Sequence, residues 1–157
     1  VYQFVIAPAP TFDAEYYHQF IGKKKVTLVF SQTYDLLYQA HAAIVASGTA
    51  TLETALFKVP QVVVYKGGAI SIAIARLLVK IRFISLVNLI VDRKIVIELI
   101  QEDCSKEKVT SELKMIVSGE EREQMLTDYE DLHQLMGTAG ASERTAKLIM
   151  EYLSLPK

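Results

Sequence analysis

The chain has 157 residues, a formal net charge of −1 and a single cysteine, Cys104. This length suits one ordinary domain with a core of its own. The near-neutral charge lacks the basic excess of nucleic-acid-binding proteins, so we expect no nucleic-acid partner. One cysteine excludes a disulfide framework and fits a reducing compartment.

Several classes of site lack their motifs. No CxxC pair or His/Cys cluster indicates a structural zinc ion, and His18, His41 and His133 share no spacing typical of a metal site or a catalytic triad. Dinucleotide-binding and P-loop glycine motifs are absent. No apolar run reaches the ~18 residues of a membrane-spanning helix, and the opening residues lack signal-peptide features. We therefore expect neither a metal nor a cofactor.

The first quarter of the chain alternates strand and helix patterns. Lys23–Lys25 form a basic turn, which is typical of a solvated loop but also suits a phosphate or lipid contact. The predicted elements are a buried strand at 1–7, a helix begun by Asp13 and ending near 21, a strand at 26–30 and a short helix at 34–41.

The next stretch predicts one βαβ unit. Residues 42–46 form an apolar run of the kind found in strands buried on both faces, and Ser47-Gly48-Thr49 then breaks it. A helix follows with Leu52, Ala55 and Leu56 on one face; Pro60 ends it, and a second apolar strand covers 61–65. This order predicts parallel strands and a right-handed crossover.

The small-residue turn in this unit is a candidate anion site. The first N–H groups of a helix lack internal partners and favour an anion, and ligands bind beyond the carboxyl ends of parallel strands. Gly48 lets a phosphate approach the backbone, and the hydroxyls of Ser47, Thr49 and Thr51 can donate to it. Glu53, assigned to the first helical turn, lies one step from this site; a carboxylate that only complements the helix dipole is the alternative.

The second half of the chain is predicted to be mostly helical. Asn88 follows a short strand, and Val109, Leu113 and Ile116 face inward from a later helix. We predict helices at 70–80, 95–101, 106–117, 120–136 and 143–153, with a strand at 83–86. The predicted fold is a three-layer α/β domain with a parallel sheet over residues 1–118, followed by a C-terminal helical tail over 119–157.

These motifs resemble those of lipid-A-disaccharide synthases. SGTATLETAL, followed by a proline and VVVYK, resembles the nucleotide-sugar motif of this family, and the blocks QTYDLLYQAHAAIVASGTATLE, ISLVNLIVDRKIVIELIQEDC and GASERTAKLI continue the resemblance along nearly the whole chain. The resemblance implies the Rossmann-like C-terminal half of a GT-B glycosyltransferase. It also implies that an N-terminal half, and the first strand of this half, lie upstream.

The resemblance implies transfer of a diacylglucosaminyl group from its UDP donor to an acylated glucosamine phosphate, with inversion and release of UDP. Ser47, Gly48, Thr49, Ala50 and Thr51 would hold the diphosphate, while Glu53 would accept from the ribose hydroxyls. Five further residues match family positions near the donor, although caps, turns and polar helix ends explain them as well: Gln32, Tyr34, Asn88, Gln101 and Glu102.

The resemblance places the general base in the N-terminal half, so this chain alone is expected to be inactive. Acylated substrates imply a cytoplasmic protein peripheral to the inner membrane, with Arg76, Lys80, Arg82 and Phe83 as candidate membrane contacts. The terminal helix is expected to dock on a second copy or to be mobile, through Leu148, Ile149, Tyr152, Leu153 and Leu155. Two alternatives remain open: another GT-B UDP-sugar transferase or epimerase, and a non-catalytic α/β binding module.

Overall fold

A computed structural model describes residues 2–68 and 82–154 and confirms an α/β fold with parallel strands. The helix predicted at 70–80, with Arg76 and Lys80, lies outside the described residues. The strands are β1 Phe4–Ile6, β2 Val26–Leu28, β3 Ala43–Ala46, β4 Gln61–Tyr65 and β5 Ile97–Ile100. The helices are α1 Ala14–Ile21, α2 Thr33–Gln39, α3 Thr49–Leu56, α4 Leu86–Val91, α5 Lys106–Ile116, α6 Glu120–Met136 and α7 Ala141–Ser154, with a 3₁₀ turn at Gln101–Asp103.

Local signals set several helix boundaries. Asp13 caps α1 as predicted, because its carboxylate accepts from the Tyr16 amide at 2.9 Å. Ser105 caps α5 in the same way through the Lys108 amide at 3.2 Å. Helix α3 ends at Leu56, before Pro60, because Lys58 already leaves helical geometry with a φ of 57°.

The strands pair as two parallel ladders within the described residues. β1 pairs with β2, whereas β3, β4 and β5 form a second sheet in that order. In the second sheet Val45 lies opposite Val63, which in turn lies opposite Glu98. The βαβ unit predicted around the small-residue turn is confirmed as β3, α3 and β4.

Two predicted elements in the second half are wrong. Residues 83–86 do not form a strand, because Ser85 caps α4 and starts a helix at Leu86. Residues 95–101 do not form a helix, because Ile97–Ile100 pairs with β4 as strand β5. The β-branched residues Ile97 and Ile100 favour that strand and pairing with β4 selects it, whereas the local cap at Ser85 decides the first case.

Strand β3 is not buried on both faces, contrary to the prediction. Val45 is buried, but Ile44 is 48% exposed and Ala46 is also exposed. Ile44 and Ala46 share one face of the strand, because successive side chains alternate between the faces. β3 is also an edge strand of its sheet, with a hydrogen-bonded neighbour on the β4 side alone among the described residues. Leu56 is likewise exposed, and Thr51, Thr54 and Ala55 form the buried face of α3 instead.

The core lies between the second sheet and the helices after it. Val62 and Val63 of β4 pack in one cluster with Met125, Tyr129 and Leu132 of α6. The inward face predicted for α5 is confirmed, since Ile116 is buried and Val109 and Leu113 pack against the cluster. Helix α6 therefore shares the core of the sheet, and the division of the chain at residue 118 stays a prediction.

Helix α7 has no buried residue, although its sequence is amphipathic. Its apolar side chains Leu148, Ile149, Tyr152 and Leu153 are all exposed, whereas Leu155 lies outside the described residues. The expectation that this helix docks elsewhere stays a prediction. Across residues 2–68 and 82–154, none of the helices combines the length and apolarity needed to span a bilayer.

Alkaline conditions should destabilise the core through Tyr129. Burial raises the pKa of Tyr129 above its ordinary value of 10.0, so the folded chain keeps this proton after the unfolded chain has lost it. The free energy of unfolding should then fall by up to ~1.4 kcal/mol per pH unit above pH ~10. Chemical denaturation of the parent chain and of Tyr129→Phe at increasing pH measures this term. Equal slopes for the two proteins would show that Tyr129 does not contribute.

Candidate functional site

The turn after β3 presents backbone N–H groups at the start of α3 that have no partner among the described residues. Gly48 occupies the N-cap position of α3, and none of the side chains that the structure describes caps this helix. Gly48, Thr49 and Ala50 are exposed, and a Cβ atom added at Gly48 would meet no heavy atom within 4 Å. Within the described part of the chain the N-terminus of α3 is thus exposed, and its binding of an anion stays a prediction. We call residues Ser47–Ala50 the α3 cradle.

Two hydroxyls near the α3 cradle already have protein partners. Thr51 is 0% exposed, and its hydroxyl donates to the Gly48 carbonyl at 2.7 Å. The expectation that Thr51 donates to a ligand is therefore corrected: its hydroxyl holds the shape of the cradle from inside. Ser47 is half-buried, and its hydroxyl donates to the Ile84 carbonyl at 3.3 Å, a weak bond that leaves its own lone pairs free.

Glu53 lies in the second turn of α3, not in the first as predicted, because the helix begins at Thr49. Residues three and four apart share a helix face, so Glu53 follows Ala50 and Thr49 along the same side. Glu53 is half-buried, its Cα lies about 6 Å along the helix axis from that of Thr49, and its carboxylate hydrogen-bonds to none of the residues that the structure describes. A carboxylate with free lone pairs beside an open helix N-terminus suits a ligand that carries both phosphate and hydroxyl groups.

Tyr34 does not lie at the α3 cradle. Its ring stacks on Phe57 at a centroid distance of 5.4 Å, and Phe57 caps the C-terminal end of α3. About 12 Å of helix separates Phe57 from Thr49. Gln32 precedes α2 and is exposed, so it stays a candidate contact, whereas Tyr34 belongs to the packing between α2 and α3.

Asn88 is a structural residue in this chain. It is 0% exposed within α4, and its amide donates to the Val96 carbonyl at 2.9 Å and to Glu98 Oε1 at 2.8 Å. Its Oδ1 accepts from the amides of Ile95 at 2.8 Å and Val96 at 3.0 Å. Every polar atom of the side chain is used, so the expectation that Asn88 faces the donor is corrected.

Sequence reasoning missed the residue at the centre of this network, Glu98. Its Oε1 accepts from the Ser85 amide at 3.0 Å, the Ser85 hydroxyl at 2.7 Å and the Asn88 amide, while Oε2 accepts from the Ile84 amide at 2.9 Å. The neighbouring Ile84 carbonyl in turn accepts from Ser47. Glu98 therefore fixes the segment against which the α3 cradle rests. A charged residue inside the apolar run of β5 was the available signal, because such a group needs partners.

Gln101 holds the loop that follows β4. Its Oε1 accepts from the Gly67 amide at 2.9 Å, and its Nε2 donates to the Gly67 carbonyl at 3.1 Å. Glu102, next to it in the 3₁₀ turn, is exposed. Gln101 thus shapes an edge loop with both side-chain atoms, while Glu102 stays a candidate contact.

Comparison with known proteins identifies the family. The family model described as lipid-A-disaccharide synthetase matches residues 5–151. The chain belongs to the lipid-A-disaccharide synthetase family.

Relatives in this family cover most of the chain. A lipid-A-disaccharide synthase of Myxococcus xanthus is 36% identical over 154 residues, which are 96% of this chain and 40% of that protein. The enzyme of Acidobacterium capsulatum is 42% identical over 120 residues, 74% of this chain and 30% of that protein. That of Persephonella marina is 35% identical over 156 residues, 94% of this chain and 41% of that protein. The chain therefore spans well under half the length of the relatives it matches.

Of the residues expected to contact the membrane, Arg82 and Phe83 lie in the described part of the chain, and they differ in exposure. Arg82 is exposed, but Phe83 is buried beneath it, with the guanidinium 5.1 Å from the ring centroid. Phe83 is therefore corrected to a core residue, and its cation–π contact orients Arg82. Lys66, directly after β4, is exposed as well.

Among the described residues, the candidate site lies at an exposed edge of the sheet. Two surface clefts of about 610 and 590 Å³ lie around the start of α6, and none of the predicted donor-site residues lines either one. Among the described residues, His, Cys, Asp and Glu side chains form no group of three or more that suits a metal ion. The candidate chemistry is thus concentrated at the α3 cradle and Glu53.

Proposed function

We propose that this chain is the donor-binding part of a lipid-A-disaccharide synthase. The whole enzyme transfers a 2,3-diacylglucosaminyl group from UDP-2,3-diacylglucosamine to 2,3-diacylglucosamine 1-phosphate, with inversion of configuration, and releases UDP. Family membership supports the class of reaction. The names of the matched relatives support the product, a lipid A disaccharide.

One observation of this chain carries the proposal: the uncapped N-terminus of α3 opens beside a carboxylate without a partner among the described residues. Exposed N–H groups at Gly48, Thr49 and Ala50 can donate to diphosphate oxygens, and the positive end of the helix dipole favours their charge. The Thr49 hydroxyl adds a further donor. Glu53 accepts from two ribose hydroxyls, as a carboxylate with free lone pairs can.

This arrangement assists the reaction by stabilising the leaving group. Negative charge builds on UDP as the bond to the anomeric carbon breaks, and fixed N–H donors stabilise that charge without rearranging. Glu53 positions the nucleotide and moves no proton. Thr51 and Glu98 support the cradle from beneath through their bonds to Gly48 and to the segment of Ile84 and Ser85.

The remaining parts of the proposal concern the rest of the enzyme. The general base and the acceptor site belong to the N-terminal half, so this chain alone has no transferase activity. The acylated substrates place the whole enzyme in the cytoplasm, peripherally at the inner membrane, with exposed Arg82 as a candidate contact. Helix α7 docks its exposed apolar side chains on another part of the enzyme or on a second copy.

A UDP titration tests the proposal at one residue. Glu53→Gln keeps the size of the side chain but replaces one acceptor oxygen with a donor, so UDP should bind about tenfold more weakly, a change of ~1.4 kcal/mol. NMR chemical shifts of the Gly48, Thr49 and Ala50 amides during titration report both affinity and location. Thermal unfolding should stay unchanged, because Glu53 has no partner to lose among the described residues.

Glu112→Gln is the matched control, since Glu112 is another half-buried helical glutamate, on α5. It should leave UDP binding unchanged. Absence of any uridine-nucleotide shift in the parent chain and in the full-length enzyme would favour the non-catalytic binding module instead. Equal weakening by both variants would assign the effect to net charge and would exclude the role proposed for Glu53.

A further inference from the structure

Helix α1 is apolar on two sides. On one side Ile21 is buried and Tyr17 is half-buried. On another side Tyr16 and Phe20, four residues apart, are both exposed, and so is Phe12 just before the helix. The outer face of a surface helix is normally polar, so these exposed aromatic side chains need an explanation.

The rings of Phe12, Tyr16 and Phe20 are in contact along α1, and we call these three residues the α1 aromatic column. Phe12 stacks on Tyr16 at a centroid distance of 4.1 Å, and Tyr16 meets Phe20 edge to face at 5.3 Å. Phe20 is nevertheless 66% exposed. Single exposed apolar residues are common on protein surfaces, but contiguous ones mark an interaction site.

Three lysines follow the column directly. Gly22 caps the end of α1 with a φ of 57°, and Lys23–Lys25 then lead into β2 with all three residues exposed. Three residues of chain span at most about 11 Å, so the Cα atom of Lys23 lies within that distance of the Cα atom of Phe20. None of these lysines forms an ion pair within the described part of the chain, so their charges are available to a partner.

The acidic residues of α1 lie at its opposite end. Asp13 caps the start of the helix through the Tyr16 amide at 2.9 Å, and Glu15 lies in the first turn. At 1.5 Å per residue, Asp13 is about 10 Å along the helix axis from Phe20, which is comparable to the Debye length at physiological salt. The surface is therefore apolar along the column and positively charged at the Phe20 end.

We propose that the α1 aromatic column and Lys23–Lys25 dock on an anionic lipid bilayer, with the Phe20 end entering the interface more deeply than the Phe12 end. Tyr and Phe side chains suit the boundary between headgroups and acyl chains, and clustered lysines attract anionic headgroups. A protein partner suits this surface less well, because lysine is depleted at protein interfaces. The inference assigns a surface to the membrane placement proposed above, but it rests on α1 and is independent of the α3 cradle.

A fluorescence reporter at a single residue tests the inference, because the chain contains no tryptophan. The emission of Phe20→Trp should shift to shorter wavelength when vesicles of phosphatidylglycerol and phosphatidylcholine are added, since the indole enters an apolar medium. Brominated acyl chains in those vesicles should quench Phe20→Trp strongly and Phe12→Trp more weakly. Tyr38→Trp is the matched control, at an exposed aromatic residue of α2 outside this surface, and its emission should neither shift nor be quenched.

Neutralising the lysines gives an independent readout. Replacing Lys23–Lys25 with glutamine should weaken partitioning onto these vesicles by about 100-fold, because each lysine near an anionic surface contributes about fivefold. The same replacement of the exposed Lys106, Lys108 and Lys114 on α5 removes equal charge but should weaken partitioning only by about twofold. Vesicle sedimentation measures both, and equal losses would overturn the inference.

The reporter variants also distinguish other occupants of this surface. An unshifted emission of Phe20→Trp with vesicles would overturn the inference, as would quenching of Tyr152→Trp alone, which would assign binding to the exposed side of α7. A shift of Phe20→Trp without vesicles, together with a dimer mass, would assign the column to a second copy instead. UDP is titrated in the absence of lipid, so failure of this inference leaves the proposal for the α3 cradle unaffected.

Discussion

Replacing Asn88 with aspartate is expected to lower the free energy of unfolding by about 3–4 kcal/mol at pH 7, although the two side chains have nearly the same shape. The change removes both amide donors, so the Val96 carbonyl loses its partner and a second carboxylate faces Glu98 Oε1 across the former 2.8 Å hydrogen bond. Asn88 is fully buried, so water cannot compensate at the introduced carboxylate. Denaturant unfolding of Asn88→Asp and the parent measures the loss.

Lowering the pH provides the control for this first prediction. The facing carboxylate of Glu98 raises the pKa of the introduced carboxyl in the folded state above its unfolded value. The folded variant then binds a proton more readily than the unfolded chain, so the difference from the parent shrinks as pH falls. In the protonated state an O–H group again donates to Glu98. A loss under about 1 kcal/mol at pH 7, or a loss that is the same at all pH values, would contradict the network described for Asn88.

The βαβ unit could be predicted from the sequence because local signals agree there. The apolar run before Ser47, the small residues of the turn and the apolar run after Pro60 each favour one structure. The open cradle at Gly48 was predictable for the same reason, since strand order alone places that turn at the carboxyl edge of a parallel sheet.

The second half was harder because tertiary partners decide it. The run around Asn88 and the run around Glu98 are both rich in apolar and β-branched residues, so either could be strand or helix by local preference. Ser85 caps one as a helix, and pairing with β4 selects the other as a strand. The Asn88 amide then donates a hydrogen bond to the Glu98 carboxylate, a contact that spacing along the sequence does not reveal.

The sequence also could not predict which apolar residues would be exposed. The apolar pattern of β3 correctly predicts a strand, but whether both faces are covered depends on which other strands and helices are present. Tyr34 illustrates the same limit at the site: it follows a strand end, as a ligand contact would, yet packs on Phe57 at the far end of α3. Position at an edge is therefore a weaker guide to function than free polar atoms.

Removing the Arg93 guanidinium is expected to destabilise the chain by about 2 kcal/mol, because Arg93 ties the loop after α4 to helix α6. Nη1 contacts Asp128 and Nη2 contacts Asp131, both at 2.6 Å, and the hydrogen bond to Asp128 raises the pKa of Arg93. In Arg93→Met, the buried Asp128 carboxylate would keep only the Gln124 amide at 3.2 Å. Arg93 is itself partly solvated, so we expect less than the full cost of breaking a buried ion pair.

A double-mutant cycle separates this electrostatic contribution from lost packing. Asp128→Asn should recover about 1 kcal/mol when combined with Arg93→Met, since no uncompensated charge then stays buried. Lys58→Met is the matched control: its ion pair with Glu130 is equally short at 2.6 Å, but both side chains are more than half exposed. Solvent screens that pair, so the melting temperature should not move. The two ion pairs have the same length and differ in burial. Equal losses for Arg93→Met and Lys58→Met would therefore show that burial of Asp128 does not strengthen the Arg93 contact.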